Sequence, residues 1–185
     1  MLDNLINRLR GGPPKLPVQV EVRVEAPNRE RPFYTLKTSG MSERPMKVPR
    51  GMQDLALTEV CLCLPKDWPM AEEWPFRLLK VVALYPHIHK TWVAWGQTLG
   101  SLLEPAAQDP TGRFSGVLLT APAYLRDGAE QFTRADGRVV RYLAVVPLLR
   151  EELRFAHENS GEALDEKLTA AGVTELLDPK RKSAV

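Results

Sequence analysis

The sequence predicts an α+β fold: a central mixed β-sheet with helices packed on it. Three observations predict it. Val18, Val20, Val22 and Val24 alternate with Gln19, Glu21, Arg23 and Glu25, the pattern of a half-buried strand with one wet face. Val60 to Leu64, VCLCL, is apolar on both faces, as expected of a strand covered on both sides. Strand-like runs cluster early and late around one main helical run, with further helices at both ends, which argues against a regular βαβ series.

Taken in order, Leu2, Leu5, Ile6 and Leu9 follow helical spacing, so a short helix is predicted over 2–10. Gly11-Gly12-Pro13-Pro14 stops it, and two turns of helix persist only when docked. The valine strand ends at Ala26-Pro27-Asn28. Phe33–Thr38 and Leu55–Leu64 are the next strands, joined by a polar connection that holds Thr38-Ser39-Gly40-Met41-Ser42. There Gly40 permits a bend that other residues would strain, and Met41 is expected to pack back on the sheet. Pro65-Lys66-Asp67-Trp68-Pro69 is a turn. Trp74, Leu78, Val81, Val82 and Tyr85 share a helical face, with Pro75 suited to the first turn and Pro86 as the stop.

Thr91 to Trp95 reads as extended, Gly96 as a bend and Leu102–Arg113 as a loop. Phe114–Thr120 is a strand. Ala121–Gly137 is polar and turn-rich, and Arg138–Pro147 is a strong strand. Short helices are predicted over Glu151–His157 and Glu162–Ala171, the second stopped by Gly172. With no repeat and no low-complexity linker, the chain 1–185 reads as one domain, with its core about 17–181 and a basic, solvated C-terminal tail over 180–185.

Composition bounds the function. At 185 residues, 44% hydrophobic and 26% charged, the chain can bury a sizeable core. A net charge of +2 lacks the basic excess of a dedicated nucleic-acid binder. The two cysteines, Cys61 and Cys63, sit two apart on one strand face, where a disulfide is rare, so a reducing compartment fits. The N-terminal residues do not form a signal peptide, no apolar run spans a membrane, and the expected location is cytoplasmic.

No residue pattern supports catalysis. Cys61-x-Cys63 with His87-x-His89 could supply zinc ligands, but the cysteines lie in an apolar run where a thiol packs as a small hydrophobe, and both histidines are expected to be exposed. Ser115 lacks the G-x-S-x-G elbow. Pro13-Pro14 removes the backbone donors that a phosphate loop after Gly11-Gly12 would need. Glu72-Glu73 and Glu151-Glu152 are simplest as first-turn helix residues. No catalytic residue, metal ligand or cofactor is therefore assigned. The aromatics Trp68, Trp74, Tyr85, Trp92 and Trp95 read either as core packing or as a binding groove, since such rings supply large contact area at low entropy cost.

Several blocks, in order, resemble the suppressor of fused (SUFU) domain family, specifically its bacterial single-domain members. Tyr34 to Ser42 resembles the family's Y-x-x-x-T-x-G-M-S block. Glu59 to Pro65 resembles its E-L-x-x-x-L-P strand, and Trp74 to Tyr85 its W-x-x-x-L-L-x-x-L-A-x-Y helix. Gly96 with Phe114 to Leu119 resembles the next bend and strand. Pro147-Leu148 with Glu151-Glu152-Leu153 resembles P-L-x-x-x-E-L, and Asp178 to Arg181 the terminal D-x-x-R.

The resemblance implies a SUFU-like α+β domain without enzymatic activity that binds other proteins. In animals such a protein carries a second domain and clamps a segment of a transcription factor as an added strand; this chain is too short for that second domain. Bacterial members are thought to include immunity proteins that neutralise a toxin from the same genome neighbourhood. Tyr85 matches a tyrosine of the animal peptide groove, and two acidic groove positions fall on Gln97 and Ala121, so the partner differs. The sequence-level expectation is a non-enzymatic, immunity- or antitoxin-type protein binding a cognate toxin or regulator through Tyr85, Trp92, Trp95, Gln97 and Ala121. The alternatives are an enzyme with a dispersed active site and a regulatory module that binds a transcription factor or nucleic acid.

Overall fold

The computed structural model describes residues 16–100, 109–126 and 128–185. Its strands are β1 (Glu21–Glu25), β2 (Phe33–Ser39), β3 (Thr58–Pro65), β4 (Thr98–Leu99), β5 (Phe114–Thr120), β6 (Gln131–Thr133) and β7 (Val139–Leu149). Its helices are α1 (Trp74–Ile88), α2 (Arg150–Glu158) and α3 (Gly161–Ala170). The predicted helix over 2–10 lies outside the described residues. The strands form one mixed sheet in the order β1-β2-β3-β7-β5-β4, with β6 also paired to β7. Of these described strands only β3 and β7 pair in parallel, and Leu176 adds a parallel bridge to Cys63.

Strand alternation assigns the two faces. Leu36, Val60, Leu62, Leu64 and Val145 turn to one side and pack with Leu78, Leu79, Val82 and Ala83 of α1. On the other side Leu118, Val146 and Leu148 pack beneath α2 and α3, through Ala156, Leu164 and Leu168. Cys61 and Ala144 lie under Leu125 of the segment after β5. Among the described residues cover on this second face stops there, and toward β1 they leave the sheet bare. This explains why β3 is apolar on both faces whereas β1 alternates: β3 runs between two layers, and β1 is an edge.

Several boundaries differ from the sequence reading, each for a physical reason. The valine strand pairs only over Glu21–Glu25, and Val24 is 44% exposed although it shares the valine parity. Leu55 closes a short 3-10 turn, so β3 begins at Thr58. Helix α1 runs through Pro86 to Ile88. Pro86 lies in the last turn, where its fixed φ is helical and only its own N–H bond is lost. The fully buried face of α1 is centred on Leu79, Ala83 and Pro86, leaving Val81 and Tyr85 half-buried. Thr91–Ala94, read as extended, has no regular structure and joins no strand; the chain turns at Trp95–Gly96 and pairs as a strand at Thr98–Leu99. β6 arises inside the segment read as turns, because its three residues gain a ladder on β7.

β7 passes Pro147 to reach Leu149. The N and O of one strand residue point to the same side. The Pro147 carbonyl accepts from Arg181 Nη2 at 2.9 Å, so the missing N–H lies on the side away from β5.

Of the basic segment 180–185, read as a solvated tail, Lys180 and Lys182 are exposed, but Arg181 and the residues before it are built into the fold. β3 and β7 pair only as far as Cys61 and Ala144, and the residues after α3 fill the gap beyond. Cys63 donates its N–H to Glu175 O and accepts from Leu177 N, each at 2.9 Å. Arg181 then reaches β7 and the buried Glu152.

Candidate functional site

The bare part of the second face forms a cavity of about 620 Å³. Its floor comes from alternate residues of neighbouring strands: Arg23 and Glu25 of β1, Lys37 of β2, Glu59 of β3 and Tyr142 of β7. Phe132 and Arg134 close one side. Lys37 donates to Glu25 Oε1 at 2.7 Å, and Arg31 to Glu25 Oε2 at 3.2 Å. Burial pushes the Glu25 carboxyl up, but these two cations outweigh it and hold the group below its ordinary value. Arg23 has no carboxylate within ion-pair distance among the described residues, so one cation of the cavity is uncommitted.

Glu59 is the deepest group. It is 1% exposed and follows Thr58 at the start of β3, ahead of the apolar run from Val60 to Leu64. Its Oε2 accepts from Thr38 Oγ1 at 2.6 Å; its Oε1 accepts from Gly40 N at 3.0 Å, Ser42 N at 2.9 Å and Ser42 Oγ at 2.7 Å. Four donors therefore satisfy a buried carboxylate, the condition under which such a group is tolerated. The turn that supplies them needs Gly40. Its φ is +114°, and a Cβ there would lie 1.9 Å from the Gln19 carbonyl oxygen. Met41 is fully buried beneath, its carbonyl 2.9 Å from His87 Nε2, and Arg134 Nη1 donates to the Ser42 carbonyl at 2.7 Å. His87 is thus half-buried and engaged, not exposed as its position after a proline suggested, while His89 is exposed. Burial pushes the His87 imidazole below its ordinary value.

Three other titratable groups on this face of the sheet, or beside it, are held in their neutral, protonated form. Burial, with the Glu59 charge, pushes the Tyr142 hydroxyl up to about 12. Burial and the Glu175 charge push Cys63 up to about 12 and Cys61 well above its ordinary value. Both thiols are fully buried, so they pack as hydrophobes. Among the described residues no three His, Cys, Asp or Glu side chains gather as a metal-ligand set.

The residues singled out from the sequence lie elsewhere. Trp95, 49% exposed, donates from Nε1 to Asp165 Oδ2 at 3.0 Å, and Thr120 Oγ1 donates to Asp165 Oδ1 at 2.8 Å. The start of α3 comes this close because residue 161 is glycine: a Cβ would meet the Gly96 carbonyl oxygen at 1.7 Å. Gln97 takes Leu119 N on its carbonyl at 2.9 Å and Ala94 N on its side chain at 3.2 Å, and Ala121 is exposed just past β5. Trp95, Gln97 and Ala121 thus border one end of β5. Tyr85 and Trp92 pack instead on the α1 side of the core, Tyr85 with its ring 4.6 Å from that of His89. No described hydrogen bond or ring contact joins them to Trp95.

The cavity residues escaped sequence reading. Arg23, Lys37 and Tyr142 come from three strands and look like ordinary wet-face residues. The signal that was available is Glu59, a lone charge at the head of an apolar strand, paired with the chemically odd Thr38–Ser42 turn.

A family model described as Suppressor of fused protein (SUFU) matches residues 17–182. None of the curated proteins compared by sequence matches the chain. Among solved structures the chain is similar to a SUFU (suppressor of fused protein) homolog from Neisseria gonorrhoeae FA 1090, at 20% identity and TM-score 0.64, covering 90% of this chain and 79% of that one. It is similar to a structure of a Sufu–Fu complex, at 14% identity and TM-score 0.63, covering 91% and 78%. It is also similar to Drosophila Suppressor of Fused, at 14% identity and TM-score 0.59, covering 91% of this chain but 43% of that one. At these identities the likeness shows the fold.

Proposed function

The chain belongs to the suppressor of fused family, and we propose that it works without catalysis, by binding an extended segment of another protein along β1 and over the adjoining cavity. The observation that carries this is the edge itself. Among the described residues no strand pairs with the outer side of β1, and Val24 stands exposed on it at the rim of the cavity. An unpaired edge is a template for an added strand, whose side chains would enter the cavity at alternate positions. The raised Tyr142 and cysteine values add support, since none of these groups is an activated nucleophile at neutral pH. Trp95, Gln97 and Ala121 at the end of β5 remain a proposed further contact, supported by the exposure of Trp95 and Ala121, and Tyr85 with Trp92 on the α1 side a separate proposed one.

The finer reading is that the protein is a cytoplasmic bacterial immunity factor whose partner is a toxin encoded beside it. Co-expression with the neighbouring reading frame tests this. Rescue of growth and co-purification of the neighbour are expected. A harmless neighbour and an empty pull-down would remove the immunity reading. Among the described residues no helix is long and apolar enough to cross a membrane.

A further inference from the structure

A second cleft, of about 560 Å³, lies far from β1 in the sheet order, where the start of β5, the junction of β7 with α2 and the C-terminal segment meet. Among the described residues its lining holds five cations, Arg113, Arg150, Lys180, Arg181 and Lys182, against one carboxylate, Glu151. Arg181 is committed to Glu152. The other four are exposed, and among the described residues none has a carboxylate within ion-pair distance. The whole chain carries only +2, so this cleft holds more positive charge than the entire protein and the remainder is slightly negative. Such a concentration in a concave site focuses potential on an approaching anion.

The floor is rigid. Arg181 grips Glu152, which also accepts the N–H groups of Leu149 at 2.8 Å and Ala184 at 3.1 Å. Arg113 is oriented by its own bond, Nη2 to the Arg181 carbonyl at 2.5 Å. The cations come from three chain segments and so surround a space instead of lining a stripe. Among the described residues no aromatic side chain lines the cleft, so they offer no stacking platform of the kind single-stranded nucleic acid uses. Two guanidinium forks and two ammonium groups around one open space suit several carboxylates.

We infer that this cleft binds an acidic segment, a run of Asp and Glu side chains, of the partner protein. The inference rests on the protein-binding reading above and gives the partner a second point of attachment, with charge complementarity where the β1 edge offers backbone pairing.

The test is fluorescence anisotropy with a short labelled oligo-glutamate peptide, an oligo-glutamine peptide and an oligothymidylate as probes. The proteins are the unaltered chain, a cleft variant (Arg150→Glu with Lys182→Glu) and a charge-matched control (Lys66→Glu with Lys80→Glu), all at exposed positions. Oligo-glutamate is expected to bind, to weaken steeply with salt, and to lose roughly tenfold or more in the cleft variant but under about twofold in the control. Equal losses in both variants, equal binding of oligo-glutamine, or displacement of the peptide by a tighter-binding oligothymidylate would each overturn it. If charge reversal unfolds the chain, Arg150→Gln with Lys182→Gln carries the same comparison. The titration needs no partner, so its failure is distinct from failure of the protein-binding reading. A partner captured equally by the cleft variant and the unaltered chain would sink the cleft and leave that reading standing.

Discussion

Arg181 holds the buried carboxylate of Glu152 with both terminal guanidinium nitrogens, Nη1 and Nη2 each 2.5 Å from an oxygen. Glu152 is fully buried and the Arg181 side chain is 9% exposed. Fork-on-carboxylate geometry gives two parallel charge-assisted bonds, and the pair fastens the end of the chain to the start of α2.

Breaking the pair from one side is expected to be costly. Arg181→Ala would leave Glu152 buried and unpaired and should destabilise the fold by about 3–5 kcal/mol, read by urea denaturation at neutral pH. The pH dependence follows. Burial alone would push the Glu152 carboxyl up; Arg181 and two backbone N–H groups outweigh it and hold it below its ordinary value. Its contribution is therefore present above the ordinary carboxylate range and is lost as pH falls through the lower folded value. Unchanged stability of Arg181→Ala would show that the segment is not fastened by this pair.

The Glu59 turn predicts a second pair of effects. Gly40→Ala forces a side chain into φ +114° and against the Gln19 carbonyl. It should cost about 2 kcal/mol or more. Glu59→Gln turns an amide N–H₂ toward donors that need an acceptor, and should cost about 2–3 kcal/mol. Thermal melts of the two variants decide this; loss of partner binding with full stability would instead make Glu59 part of the binding site.

Binding at the β1 edge has its own test. Val24→Lys places a charge where a paired strand would lie, the device by which natural edges resist pairing. Stability should change by under about 0.5 kcal/mol, because the site is an exposed edge. Affinity for the partner should fall at least about tenfold, or 1.4 kcal/mol, by calorimetry. Trp95→Ala separates the two surfaces: a larger loss there than at Val24 would move the main contact to the end of β5.

Glu175 titrates in the opposite sense to Glu152. It is 1% exposed; its Oε1 accepts from Ala123 N at 2.8 Å and Tyr124 N at 2.7 Å, and among the described residues its Oε2 has no partner. Burial raises its pKa despite these two bonds. A raised carboxyl binds its proton more tightly in the folded state, so stability should decline as pH climbs from the ordinary carboxylate value through the folded one. Glu175→Gln removes that decline. Parallel pH–stability curves for the two proteins would exclude it.

Much of the fold was legible because periodicity reports burial. The apolar run in β3, the strand Phe114–Thr120 and the helices at 150–158 and 161–170 each carry a local pattern, and the structure places them within a residue or two. Local pattern misled where a partner element decides. Three residues of β6 become a strand only because β7 offers a ladder, and Pro86 ends no helix because it lies in a last turn packed on the core. The Thr38–Ser42 turn stood out in the sequence, but the reason for it, a carboxylate on the next strand, did not.

By itself the sequence determined the α+β class, the family blocks and the core strands, since these follow from side-chain type repeated along the chain. The tertiary structure alone decided that the residues after α3 are wedged between β3 and β7, that the described residues leave one sheet face bare beside β1, and that five cations from three separate segments line one cleft. The reason is physical: burial patterns are written locally, whereas concavity and local charge density depend on which segments the sheet order brings together.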